Sequence, residues 1–257
     1  MGDDYPSEIG ASSSCDWPLL GLMAARLRMA PGRLLVHAGC GNGGIGLWLS
    51  RALAVHLYGF GLSPVAVAHA TGRQRHFLGE QSMRASFRVA ALEKTGLPDH
   101  VAHGIVCVNA LTDGIDKAAV VYELGRILAP GGRLVMTRSQ RAATPPWQDH
   151  ARAAGLQVEH VDEHPGEPAM WERLYRLWIE HAEGLRRELG EDQARGLGAG
   201  GRARAPRPGG RPGGGLGRAQ SACGPRVISE STGLTRKIRP RMPDVPQAPS
   251  RAVCFSR

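Results

Sequence analysis

A short apolar run, Leu34 to Ala38, delivers the chain straight into Gly39-Cys40-Gly41-Asn42-Gly43-Gly44, and a helix-like segment from Ile45 to Leu53 follows at once. Few sequence features restrict a fold more. Glycines are needed where a turn must take φ values that other residues resist, and where a Cβ would hold a ligand away from the main chain. The N–H groups opening the next helix suit a polar or anionic ligand. The segment is therefore expected to be the first strand–turn–helix of an α/β nucleotide-type site. Gly41 to Gly46 fits the dinucleotide fingerprint G-x-G-x-x-G, a pattern too common to choose the cofactor alone.

Apolar runs and helical segments alternate through the following residues. Helices are predicted over 17–29, 44–54, 64–77, 117–128 and 147–154, and strands over 33–38, 55–60, 86–90, 105–109, 133–137 and 156–161. The strands are continuously apolar, as in a parallel sheet covered on both faces. From Pro168 to Leu189, Trp171, Leu174, Tyr175, Trp178, Ala182 and Leu185 share one helical stripe. That stripe suits a helix docked on the core or a lid on the substrate side.

Charge is unevenly spread. The net charge of +9 conceals a segment, residues 195–257, with 13 Arg and Lys against 2 acids, 12 Gly and 8 Pro. Such text buries too little to offset its chain entropy, so the tail is expected to be disordered, and the first 15 residues flexible. A basic Gly/Arg arm on nucleic acid is the sharper alternative for the tail. Within it only Arg226–Ser229 and Ala252–Phe255 resemble an edge strand, so removing the tail is expected to leave the fold standing. The five cysteines have no zinc-site spacing, and the acidic, polar start is no signal peptide. A cytoplasmic protein without metal or membrane partner is expected.

Four motifs combine along the chain: Gly39-Cys40-Gly41-Asn42-Gly43, then Gly59-Phe60-Gly61-Leu62-Ser63-Pro64, then Leu97-Pro98-Asp99, and finally Glu123 to Leu134, which contains Leu128-Ala129-Pro130-Gly131-Gly132. Over residues 15–190 the chain resembles the small-molecule class I S-adenosylmethionine-dependent methyltransferases of the common bacterial type. The resemblance implies an α/β, doubly wound Rossmann-like sheet in the order 3-2-1-4-5-7-6, with the cofactor across the carboxyl ends of strands one, two and four. It assigns cofactor contacts to His37, Gly39, Cys40, Gly41, Asn42, Gly43, Gly61, Leu62, Ala91, Leu92 and Asn109. It also implies transfer of a methyl group to a small-molecule acceptor.

The departures from the family pattern are of one kind. His37 stands where an Asp is usual, Gly61 replaces the acid that takes the ribose hydroxyls, and Ala91 replaces the acid that takes the adenine amino group. His103 and Asn109 occupy two further positions that are often acidic. Together with a tail that reads like GC-rich DNA in a shifted frame, these changes suggest a scaffold that has lost acids and part of its C-terminus, which puts the last strand in doubt. The alternative functions are then a remnant that binds cofactor weakly or not at all, and a nucleic-acid-associated protein. Among the histidines of the substrate-side half, His164 is the candidate general base.

Overall fold

A computed structural model of the chain describes residues 3, 5–10, 13–111, 115–139, 147–164, 166–189 and 250–257. The helices are α1 Trp17–Leu27, α2 Gly44–Leu53, α3 Pro64–Gly72, α4 Gln74–Leu78, α5 Lys117–Ile127, α6 Trp147–Ala153, α7 Glu167–Glu180 and α8 Ala182–Leu189. The strands are β1 Leu34–Ala38, β2 His56–Gly61, β3 Ala85–Val89, β4 Ala102–Cys107, β5 Leu128–Ser139, β6 Gln157–Glu163 and β7 Ser250–Ser256. They form one seven-stranded sheet in the order β3-β2-β1-β4-β5-β7-β6. The pairs from β3 through β5 are parallel, and β7 runs antiparallel to both β5 and β6.

Local chemistry starts the helices where the sequence marks them. Asp16 Oδ1 accepts from the Leu19 amide at 2.8 Å ahead of Pro18, and Ser63 Oγ accepts from the Ala66 amide at 3.2 Å ahead of Pro64. Each satisfies an amide that the first helical turn leaves without a partner. Strand alternation then divides the core in two. Leu35, Leu57, Val106 and Val135 face one cluster with residues of α1 and α2. Val36, Phe60, Ile105, Leu134 and Met136 face the other, with residues of α5 and α6. The central strands β1 and β4 are buried on both sides along nearly their whole length, which is why they read as apolar runs, whereas the edge strand β3 is largely exposed.

Three expectations are corrected. The start of the chain packs against the fold where it is described: Ile9, Ser14 and Cys15 are buried, and Ile9 and Cys15 belong to the first core cluster. The last strand is present. It comes from the far end of the basic tail, where Ala252 and Cys254 enter one core and Val253 and Phe255 the other. Residues 195–249, Arg226–Ser229 among them, lie outside the described residues. The 168–189 helix is two helices, α7 and α8, separated at His181.

The chain divides into two compact units, Met1–Trp171 with Pro246–Arg257, and Glu172–Val245. In the second, the Tyr175 and Trp178 rings meet edge-on with centroids 5.5 Å apart. Tyr175 is buried there, whereas Leu174 and Trp178 are half-buried. No helix among the described residues is long and apolar enough to cross a membrane.

Candidate functional site

The glycine turn lies at the carboxyl end of β1, beside the ends of β2 and β4. Gly39, Gly41 and Gly43 have φ of 72°, 51° and 80°, in the left-handed region. Gly39 has a second reason to lack a side chain, because a Cβ there would overlap that of Ala110, three residues after the end of β4. The turn is fixed by the Cys40 amide donating to Phe60 O at 2.8 Å and the Gly43 amide to Cys40 O at 2.9 Å. Cys40 is buried, and that burial pushes its thiol up to about 11, so it is a packing residue without thiolate chemistry at neutral pH.

At the end of β2, Gly61 needs no special backbone. A Cβ on it would stand 3.6 Å from the Cys40 nitrogen and 3.9 Å from the Gly41 nitrogen, in ordinary contact. Leu62, next in sequence, is 68% exposed, and Val65 and Val89 are exposed as well. Apolar groups in water beside a glycine turn form a ledge that a flat apolar ligand face would cover. Ala91 bridges Lys94, whose amide donates to Ala91 O at 3.3 Å, while Leu92 is buried in the second core cluster. Asn109 follows β4 with φ 51°, its amide donating to Thr137 Oγ1 at 2.8 Å.

Two predicted ligand residues have other tasks. His37 is only 2% exposed and lies on the α2 side of the sheet, with Nδ1 2.8 Å from where a Cβ on Gly46 would be. Burial lowers its imidazole to about 4, and Nδ1 has no hydrogen-bond partner among the described residues. The structure therefore encloses His37 under α2 and does not bring it to the turn's ledge. Asn42 faces the start of the chain: its Nδ2 donates to Gly10 O at 2.6 Å, and its Oδ1 accepts from the Gly44 amide at 3.3 Å.

That N-terminal segment is the feature local sequence reading misses. Arg73 donates to the Ile9, Asn42 and Glu8 carbonyls at 2.9, 3.1 and 2.6 Å, and Glu8 pairs with Arg51 at 2.7 Å. A Cβ on Gly44 would overlap the Ile9 carbonyl, so this glycine admits the segment onto the start of α2. The motif Glu123 to Leu134 has a structural role instead. Glu123 accepts from the Thr95 hydroxyl at 2.6 Å, the Thr95 amide at 2.9 Å and Arg126 Nε at 2.8 Å. Arg126 also holds Leu97 O and Asp99. The clamp ties Leu97-Pro98-Asp99 to α5.

His164 also has a partner that the sequence does not reveal. Its Nε2 stands 2.8 Å from Asp16 Oδ2, and both side chains are almost wholly buried. Nearby in the chain, Glu167 accepts from Ser14 Oγ at 2.7 Å and from Trp171 Nε1 at 3.1 Å, and Ser14 Oγ stands 3.2 Å from Asn109 Oδ1.

A family model described as a methyltransferase domain matches residues 36–132, which contain the turn, the ledge and the clamp. The ubiquinone biosynthesis O-methyltransferase of Xanthomonas oryzae is 29% identical over 189 residues, covering 68% of this chain and 75% of that one. Phosphoethanolamine N-methyltransferase 1 of Zea mays is 24% identical over 59% of the chain, which spans only 28% of that protein's length. Among solved structures, the [4+2]-cyclase SpnF superposes with a TM-score of 0.57 at 22% identity, over 71% of this chain and 72% of that one. A geranyl diphosphate C-methyltransferase from Streptomyces coelicolor, in complex with Mg2+, geranyl diphosphate and S-adenosyl-L-homocysteine, gives 0.51 at 17% identity, over 58% and 62%.

Proposed function

We propose that this chain is a class I S-adenosylmethionine-dependent methyltransferase and that it transfers a methyl group to a small-molecule acceptor through a cofactor site weakened at its ribose and adenine ends. Its cofactor is S-adenosyl-L-methionine. The observation that carries this reading is the left-handed glycine turn Gly39–Gly43 opening onto the exposed ledge of Leu62 and Val89. The relatives' names give different acceptor atoms, oxygen in one and nitrogen in another, so they do not choose one for this chain.

The residues fit the cofactor unevenly. The turn and the amide end of α2 suit the amino-acid end, because an α-carboxylate is stabilised at a helix N-terminus. Leu62 and Val89 suit the two faces of a purine. No carboxylate stands at Gly61 or Ala91 to accept from ribose hydroxyls or the adenine amino group. A hydrogen bond to a charged group contributes about 1.5–3 kcal/mol net, so each missing acid costs about one to two decades of affinity. When bound, the cofactor supplies a methyl carbon made electrophilic by its sulfonium. The protein's share is to hold that carbon in line with the acceptor and to exclude water.

Calorimetric titration with S-adenosylmethionine and S-adenosylhomocysteine tests the reading. Binding in the range from roughly tens of micromolar to millimolar is expected from those losses. No heat at several millimolar of either compound would favour the remnant instead.

A further inference from the structure

A second polar assembly stands at the end of β4, and the cofactor contacts do not account for it. Asp16 divides its carboxylate between two tasks: Oδ1 caps α1 through the Leu19 amide, and Oδ2 meets His164 Nε2 at 2.8 Å. Burial pushes the Asp16 carboxyl up, but the hydrogen bonds from His164 and the Leu19 amide outweigh it and hold it below its ordinary range. An ionised carboxylate only accepts, so Nε2 carries the hydrogen, and in the neutral ring Nδ1 carries the lone pair. Nδ1 is buried and has no hydrogen-bond partner among the described residues. His37 Nδ1 also lacks a partner under α2, but among these two only His164 has a carboxylate on its other nitrogen, which fixes the ring and leaves Nδ1 for a ligand.

The surroundings connect this pair to the reaction side of the sheet. Glu167, three residues on, donates its amide to His164 O at 3.2 Å and binds Ser14, whose hydroxyl reaches Asn109 directly after β4. Asn109 is among the residues to which the resemblance assigns cofactor contacts. Ser14 and Asp16 come from the entry to α1, and His164 and Glu167 from the entry to α7. The two segments therefore meet over the end of β4.

We propose that His164 is the general base for a hydroxyl acceptor of phenol or enol type, and that Asp16 is its positioning residue. This rests on the methyl-transfer reading of the same site. As the acceptor oxygen bonds to the methyl carbon, its O–H bond breaks and the proton passes to His164 Nδ1. The sulfur–methyl bond breaks with its electron pair on sulfur, which leaves a neutral thioether, and the imidazolium faces the Asp16 carboxylate until the proton is released to water. The hydroxyl class follows from the base. A neutral imidazole can deprotonate phenols and enols in the transition state, whereas aliphatic alcohols lie too far above it in basicity.

The test uses the full chain and 4-nitrocatechol, whose anion has its own absorbance, one pH unit below the probe's ionisation in water. The expected result, with or without S-adenosylhomocysteine, is that wild-type protein binds the probe as its anion. His164→Gln keeps a nitrogen donor towards Asp16 but loses the Nδ1 lone pair. It should melt like wild type and ionise the bound probe at least tenfold less. Asp16→Asn keeps the cap on α1 and can donate to Nε2, which moves the hydrogen to Nδ1 and should cause the same loss. Anion formation unchanged in both variants, or a probe that wild type binds only in neutral form or not at all, overturns the proposal. Calorimetry with S-adenosylhomocysteine on the same samples separates the two readings: lack of product binding counts against methyl transfer, and probe ionisation is read independently of it.

Discussion

Two single residues can be tested directly. Gly61 was legible in the sequence as a departure, because the resemblance implies an acid after the second strand. The structure adds that a side chain fits there, with the nearest atom 3.6 Å from its Cβ. Gly61→Asp should tighten S-adenosylmethionine roughly tenfold, the lower end of a charged hydrogen bond. Equal calorimetric affinities for variant and wild type would remove Gly61 from the ribose site. His37 was legible as a departure but not as a buried group, because burial beneath α2 depends on Gly46 and Leu57, which only the fold brings together. Its imidazole stays neutral in the fold down to about 4, whereas the unfolded chain takes up the proton near 6.5. A base whose folded value is depressed favours the unfolded state as pH falls. Stability attributable to His37 is therefore complete above pH 6.5 and is lost towards pH 4, by about 3 kcal/mol. Melting temperatures from pH 7 to 4.5 should fall for wild type and fall less for His37→Leu.

At the scale of elements, the sequence marked β1 and β2 to within a residue but β5 only over its apolar second half, because burial on both faces leaves an apolar signature that Pro130-Gly131-Gly132 interrupts. The clamp between α5 and the segment before β4 was legible as a motif, but its task was not. Glu123 and Arg126 lie at i and i+3, whereas Thr95 and Leu97 are 28 and 29 residues away from their partners. The Arg126 guanidinium, against the opposing effect of burial and with help from Thr95, pulls the Glu123 carboxyl down to about 2. A carboxyl with a lowered folded value stabilises above its unfolded value of 4.5, and that contribution is lost as pH falls towards 2. The window lies below that of His37, so the two can be separated. Glu123→Gln should cost about 2–3 kcal/mol at pH 7, as removing one partner of a buried charged network does. It should also flatten the acid limb of the melt between pH 4.5 and 3. A variant as stable as wild type at pH 7 would show the clamp to be dispensable.

Across the whole molecule, the parts hardest to read were contacts between distant segments. The residues of the Asp16–His164 pair are 148 apart, and those of the Arg73–Glu8 contact are 65 apart. Neither leaves a local signature in the sequence. The last strand was obscured differently. Ala252–Phe255 reads as apolar, but it follows a long run rich in Gly, Arg and Pro after α8. The sheet nevertheless takes it up between β5 and β6, with Leu134 opposite Phe255 and Met136 opposite Val253. The tail is thus two things, a final strand and the segment 190–249 that leads to it. The expectation that the whole tail can be removed is reversed. Phe255, fully buried, should cost about 3–5 kcal/mol when changed to Ala, a large share of an ordinary domain's 5–15 kcal/mol. A chain ending at residue 194 loses that side chain, three neighbouring core residues and the hydrogen bonds on both edges of β7, so it should not melt cooperatively. Replacing 190–249 by about 15 Gly/Ser residues should have the opposite effect. It retains β7 and removes two doublings of loop length, each worth about 0.6 kcal/mol in closure entropy, so the melt should stay cooperative and rise by a few degrees. A truncated chain that melts like wild type, or a shortened one that no longer folds, would show that the strand's stability comes from 190–249 rather than from its place in the sheet.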